Sequence, residues 1–257
     1  MASSSAMVDP KIFEQLQTKI DEDAEVRDQI KAIIQTLERQ SRNAQSILSR
    51  AHSIPAANLQ PVLEAAEAAI KDEVESITKL ATTTTGSPYY KYNGIWTRDV
   101  QNVISTILLC GWLGGISSQG TPDAGRLLTI EEIGQVLNGK LPPQSAMLLL
   151  MFPVPVNLKD QDAFHITIEE YLLSLINLID ELARLAINSV TLGDYQRPLQ
   201  ISQFVKDLHA GFQILNLKND VLRRRSDSIK YSVKKVEDIV YDLSLRNLVP
   251  RPAATTT

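Results

Sequence analysis

Ile30, Ile33, Ile34 and Leu37 recur at helical spacing, and Leu63, Ala66, Ile70, Val74 and Ile77 do so again after the Ile54-Pro55 break, which predicts two opening amphipathic helices. The Thr82-Thr83-Thr84-Thr85-Gly86-Ser87-Pro88 tract ends the second, because Gly and Pro punctuate and threonine runs resist helix. A third helix is expected from about Tyr89 to Trp112. Thr129, with Glu132 three residues later, reads as a capping box ahead of Ile133, Val136 and Leu137. Between Gly139 and Asp162, Pro142, Pro143, Pro153 and Pro155 forbid a continuous helix, so this stretch is expected to be an irregular loop packed by its own Met147–Phe152 cluster.

From Ile168 to Val190 the chain is apolar nearly all round, with Leu172, Leu173, Leu175, Ile176, Leu178, Ile179, Leu182, Leu185 and Ile187, the pattern of a buried central helix. Pro198 opens another helix through Leu215. A final long helix carries Ile229, Val233, Val236, Val240 and Leu243 at alternating four and three spacing, a coiled-coil-like seam that implies partners. No strand pattern of useful length appears. The expectation is all-α: one helical domain over 9–249, with 139–162 irregular, and disordered ends at 1–8 and 250–257.

Composition narrows this picture. At 257 residues with 44% hydrophobic content the chain can bury a substantial core. A formal net charge of −4 means that nucleic-acid contact must come from local basic patches, since the whole-protein field does not favour phosphate. The single cysteine, Cys110, lies in an apolar run and fits a core position in a reducing compartment. The Met-Ala-Ser-Ser-Ser start shows no secretory pattern. The apolar runs Ile104–Ile116 and Ala146–Val156 fall short of the roughly 18 residues that span a bilayer. A soluble, intracellular protein without membrane contact is expected.

Little in the chain suggests self-contained catalysis. His52, His165 and His209 are isolated from one another and from Cys110, which argues against zinc. Gly114-Gly115 and Gly193 lack a phosphate-loop context, and Ser189 and Ser202 have no nearby histidine in sequence. The segment Tyr89-Tyr90-Lys91-Tyr92-Asn93-Gly94-Ile95-Trp96-Thr97-Arg98 interleaves aromatics with bases, as a surface that stacks unpaired nucleobases and neutralises phosphates would. Lys91, Tyr92, Trp96 and Arg98 are the candidates there; the competing reading makes Tyr90 and Trp96 helix-start core aromatics. Residues 216–251 hold nine Lys/Arg against five Asp/Glu, including Arg223-Arg224-Arg225, Lys230, Lys234 and Lys235. Beside a heptad seam such residues are read first as flanks of an oligomer contact, and second as a phosphate surface.

The C-terminal half carries long strings, among them Glu170-Tyr171-Leu172, Asn188-Ser189-Val190-Thr191, Gly193-Asp194-Tyr195, Arg197-Pro198-Leu199, Leu215-Asn216-Leu217-Lys218-Asn219-Asp220, Val233-Lys234-Lys235-Val236-Glu237 and Val240-Tyr241-Asp242-Leu243-Ser244. In these strings the chain resembles the translin family. The likeness is dense from about Phe164 to Leu248, thinner around Tyr89–Trp96, and pattern-level in the N-terminal helices. It implies a seven-helix subunit that assembles into a hollow barrel, expected to be an octamer, with single-stranded RNA or DNA inside. It also implies that Arg27 contributes to binding. Asn93, Ile95 and Thr97 depart from the family pattern, standing where it has two histidines and an arginine.

In the family's catalytic branch, the Trax-like subunit, two glutamates on the third helix and an aspartate and a glutamate on the central helix hold divalent metal for RNA cleavage. The corresponding positions here are Asn102, Ser105, Asn177 and Glu181, so only Glu181 keeps a carboxylate. Neutral amides and a hydroxyl do not replace anionic ligands for Mg²⁺, which dehydrates reluctantly. The resemblance therefore implies a non-catalytic subunit without its own metal or cofactor. Mg²⁺ is expected in a Trax-like partner, with which the chain would process small RNAs or transfer-RNA fragments in the cytoplasm and, as a second compartment, the nucleus. Two alternatives stay open: a self-sufficient weak Mg²⁺-dependent endoribonuclease using Glu181, Glu170 and Asp99, and a structural oligomer that binds no nucleic acid.

Overall fold

The computed structural model describes residues 10–116, 124–138, 155–156, 163–218 and 220–248. The expectations for 1–8, for the Met147–Phe152 cluster with most of 139–162, and for the 250–257 tail lie outside these residues. The described chain forms α1 (Pro10–Ser49), α2 (Gln60–Thr83), α3 (Tyr89–Trp112), α4 (Ile130–Leu137), α5 (Ile168–Thr191), α6 (Gln196–Ile214), α7 (Asp220–Ser226) and α8 (Ile229–Leu245), with short 3₁₀ turns at Arg50–His52 and Ala56–Asn58. Among the described residues the only β-type pairing is an isolated bridge between Val156 and Ile166. α7 and α8 are separated by a turn at Asp227–Ser228; counted as one interrupted helix, the described residues hold the seven helices expected.

Packing follows from α5, whose Thr167/Glu170 capping box fixes its start. Leu175, Ile176, Leu178, Ile179, Leu182, Ala183, Leu185 and Ala186 are all buried. Ile187 is an exception to the all-round reading, being exposed. α3 covers one side of α5, with Ser174 Oγ donating to the Gln101 carbonyl at 3.1 Å and Asn177 Nδ2 to Ser105 Oγ at 3.3 Å, while α1 packs on α2 and α3 and reaches α5 through the 3₁₀ turn at Arg50–His52. α3 and α5 thus run in the same direction. α6 and α8 cover the other side, reached through the turn at Gly193, whose φ of +77° suits glycine. α2 returns antiparallel to α1, with Ser76 Oγ donating to Gln40 Oε1 at 2.7 Å.

Two sequence readings change. The seam of Ile229, Val236 and Leu243 is buried within the subunit, where α8 packs on α5 and α6, so it is an intramolecular core and not a partner contact. The outward side of α8 instead shows Tyr231, Tyr241 and Leu245. α1 also begins well before the apolar repeat that predicted it. Its residues 11–22 are exposed on every side, with Ile12, Phe13, Leu16 and Ile20 uncovered.

Among the described residues two buried carboxyls, Glu73 and Glu170, each leave one oxygen without a hydrogen-bond partner. Glu73 is 0% exposed, accepts from Thr106 Oγ1 at 3.0 Å through Oε2, and leaves Oε1 without a hydrogen-bond partner. Burial pushes this carboxyl up from 4.5 to about 7. The folded state therefore holds a proton that the unfolded chain releases. The stability tied to Glu73 is fully present below 4.5 and is lost as pH rises through about 7, on the order of 3 kcal/mol across that window. Glu73→Gln, which keeps the shape and removes the charge, should raise the melting temperature at pH 8 and leave it nearly unchanged at pH 4.5; melts at both pH values check this.

Candidate nucleic-acid interface

The first turns of α3 separate into an inward and an outward face. Tyr92, Trp96, Val100 and Val103 follow four-and-three spacing and point into the core. Trp96 is 1% exposed and packs against Phe164 and Tyr89 at ring-centroid distances of 5.5 and 5.7 Å. Tyr92 is 2% exposed, and its hydroxyl donates to Asp23 Oδ1 of α1 at 3.0 Å. Neither ring presents a face to a nucleobase, so the structure corrects the expectation that Tyr92 and Trp96 stack on RNA. Tyr90, left between two readings by sequence, is 75% exposed and so is not a core aromatic.

Around Tyr90 the cations are ordered by α1. Lys91 pairs with Asp23. The Arg27 guanidinium lies 5.2 Å from the centroid of the Tyr92 ring. The Lys91 ammonium beside Asp23 holds that carboxyl below its usual range, with the Tyr92 hydroxyl and Arg27 adding to the effect. Arg98 is exposed one helical turn before Asn102. Arg27, Tyr90, Lys91 and Arg98 therefore border one surface formed by α1 and the start of α3.

Farther along the same helices, the four positions read as relics of a metal site come together. Asn102, Ser105, Asn177 and Glu181 all line a cleft of about 670 Å³ between α1, α3 and α5, together with Arg42, Gln45, Ser46, Ser49 and Arg184. Glu181 Oε1 is 2.6 Å from His52 Nε2, and its Oε2 accepts from Arg184 at 3.4 Å. His52 is buried, with Asn188 Nδ2 3.0 Å from its Nδ1. The His52 hydrogen bond holds the Glu181 carboxyl below its usual range against the opposing effect of burial. From α7, Arg225 donates to Asn177 Oδ1 at 2.7 Å.

This donor set does not fit a divalent metal. Its one carboxylate is committed to His52, and two arginines stand at its rim. Glu170 cannot join it. Eleven residues separate Glu170 from Glu181, about 16 Å along a helix axis, and Glu170 Oε2 is engaged by Thr167. Asp99, half-buried, does not line the cleft, and burial together with Glu38 raises its carboxyl. Among the described residues no three His, Cys, Asp or Glu side chains are grouped to hold a metal ion. His165 and His209 lie elsewhere, at the Ala163 carbonyl and beside Gln213.

Sequence reasoning did not connect His52, Arg42, Arg184 and Arg225 with the cleft. Arg184 follows Glu181 by one turn, a visible signal; His52 lies 129 residues away and gave none.

A Translin family model matches residues 25–247. The chain is 32% identical over 243 residues to Translin of Gallus gallus, covering 92% of this chain and 93% of that protein. It is 24% identical over 246 residues to Translin-associated protein X of Rattus norvegicus, covering 95% of this chain and 81% of that protein. The solved structure of AfC3PO with duplex RNA superposes with a TM-score of 0.60 over 93% of this chain and 99% of that chain, at 14% identity, a likeness of fold.

The two faces of α3 separate experimentally. Trp96→Ala should cost about 3–5 kcal/mol of stability, whereas Tyr90→Ala should stay within about 0.5 kcal/mol; urea unfolding of both variants measures the contrast.

Proposed function

The chain belongs to the Translin family, and on that premise we propose that it is a single-stranded-RNA- and DNA-binding scaffold subunit that leaves cleavage to a Trax-like partner. The observation that carries this reading is the cleft chemistry. Asn102, Ser105 and Asn177 contribute no anionic ligand, and Glu181, the remaining acid, is held by His52. Such a site does not gather the oxygen ligands that metal-assisted phosphodiester cleavage requires. Mg²⁺ belongs, in this reading, to the Trax-like subunit, and the substrates are small-RNA strands or transfer-RNA fragments in the cytoplasm and nucleus.

Binding is assigned to Arg27, Tyr90, Lys91 and Arg98, where an exposed ring offers a stacking face and the cations neutralise phosphate. Self-assembly, here proposed as an octameric barrel, is supported by apolar side chains that a lone subunit leaves in water: Ile12, Phe13, Leu16 and Ile20 on α1, and Tyr231, Tyr241 and Leu245 on α8. Among the described residues no helix is long and apolar enough to cross a membrane.

Fluorescence anisotropy of a labelled single-stranded oligoribonucleotide across a salt series tests the binding claim. Affinity should fall steeply with salt, Arg98→Gln should reduce the logarithmic salt slope by about 0.7, and Tyr90→Ala should weaken binding by about 1–3 kcal/mol. Absence of binding at low salt would overturn the reading.

A further inference from the structure

We infer that the cleft between α1, α3 and α5 is a nucleotide-binding pocket, seating the phosphate of one nucleotide on Arg42 and Arg184 and its base on a leucine floor. Its walls divide by chemistry. Leu48, Leu109 and Leu178 form the apolar part, while Arg42, Arg184, Gln45, Ser46, Ser49, Asn102 and Ser105 bring cations, amides and hydroxyls to the remainder. That is the composition of a site that holds a small amphipathic ligand, and about 670 Å³ is within the range of such sites.

Unused hydrogen-bonding capacity points the same way. Among the described residues neither Gln45 nor Asn102 has an intramolecular side-chain partner; both amides are available to the edge of an unpaired base. Arg42 spends one guanidinium nitrogen on Glu38 at 2.7 Å, and Arg184 spends one on Glu181 at 3.4 Å. Each keeps further N–H donors for a phosphate oxygen, which a planar guanidinium can bind in bidentate fashion. The cleft's one carboxylate is engaged at both oxygens, Oε1 by His52 and Oε2 by Arg184, so it opposes an anion less than a free carboxylate would.

Position along α3 ties the pocket to the surface already described. Lys91, Arg98, Asn102 and Ser105 are spaced seven, four and three residues apart. They share one helix face over about 21 Å. A strand stacked on Tyr90 would follow this face into the cleft. The inference rests on the scaffold reading for the source of the nucleotide, since the same chemistry would accept a free nucleoside 5′-monophosphate.

The test uses the full chain in its native oligomer, with two probes: a labelled single-stranded oligoribonucleotide and free adenosine 5′-monophosphate, whose binding is followed by calorimetry. Arg42→Gln removes an exposed ion pair and a phosphate contact, and Asn102→Asp replaces an amide offered to the base with a carboxylate that repels the phosphate within the same cleft. Matched thermal melts establish that both fold, and Lys71→Gln on α2 is the charge-matched control. The expected result is that wild type and Lys71→Gln bind both probes, whereas each cleft variant loses monophosphate binding and binds RNA about fivefold more weakly at 0.1 M salt, as loss of one phosphate contact requires. Variants that bind RNA and monophosphate like wild type would overturn the pocket while leaving the scaffold reading intact. Monophosphate binding that the variants abolish, in a protein that binds no RNA, would support the pocket and overturn the scaffold reading.

Discussion

A helix that is apolar on nearly every side exists in water only when other helices cover it, and α5 imposes that constraint on the whole subunit. Its buried residues draw α3 and the 3₁₀ turn after α1 to one side and α6 and α8 to the other, and α1 packs on α3. Toward α3 and the turn after α1, α5 carries a polar stripe of Asn177, Glu181, Arg184 and Asn188, spaced four, three and four residues apart, while the exposed Asp180 accepts from Ser232 of α8. That stripe lies where α1 and α3 leave the cleft. The position of the candidate site follows from this row of α5, which apolar packing does not absorb.

Within the stripe, Glu181 decides the chemistry. A partly buried carboxylate needs a partner, because an uncompensated charge away from water is costly. His52, carried to it by the 3₁₀ turn after α1, supplies one at 2.6 Å and is itself held by Asn188. With that acid engaged, the cleft presents amides, hydroxyls and two arginines to solvent. Such a lining favours an anion over a cation, which supports the proposed role of a subunit that holds a strand without cutting it.

Much of this was legible in the sequence because local periodicity carries it. The third helix runs over Tyr89–Trp112 as its apolar spacing and the preceding Gly86-Ser87-Pro88 tract predict, and the Thr129/Glu132 capping box forms. The convergence of Asn102, Ser105, Asn177 and Glu181 in one cleft also agrees with the correspondence that resemblance implied. Where local pattern had to predict a neighbour it fell short. The Ile229–Leu243 seam marks an apolar face, but periodicity does not say whether the cover comes from the same chain, and here α5 and α6 provide it. Aromatic type alone points Tyr92 and Trp96 toward stacking, although their spacing to Val100 places them on the inward face and leaves Tyr90 outside. The Asp227–Ser228 break carries no Gly or Pro to announce it.

The central claim is that this chain encloses a strand without the means to cut it. Its most direct measurement is cleavage of a labelled single-stranded RNA in Mg²⁺ by the purified chain alone and after assembly with a catalytic Trax-like subunit. The account predicts cleavage only in the mixture. Equal cleavage by the chain alone, abolished by Glu181→Ala, would contradict it and make the cleft an active site.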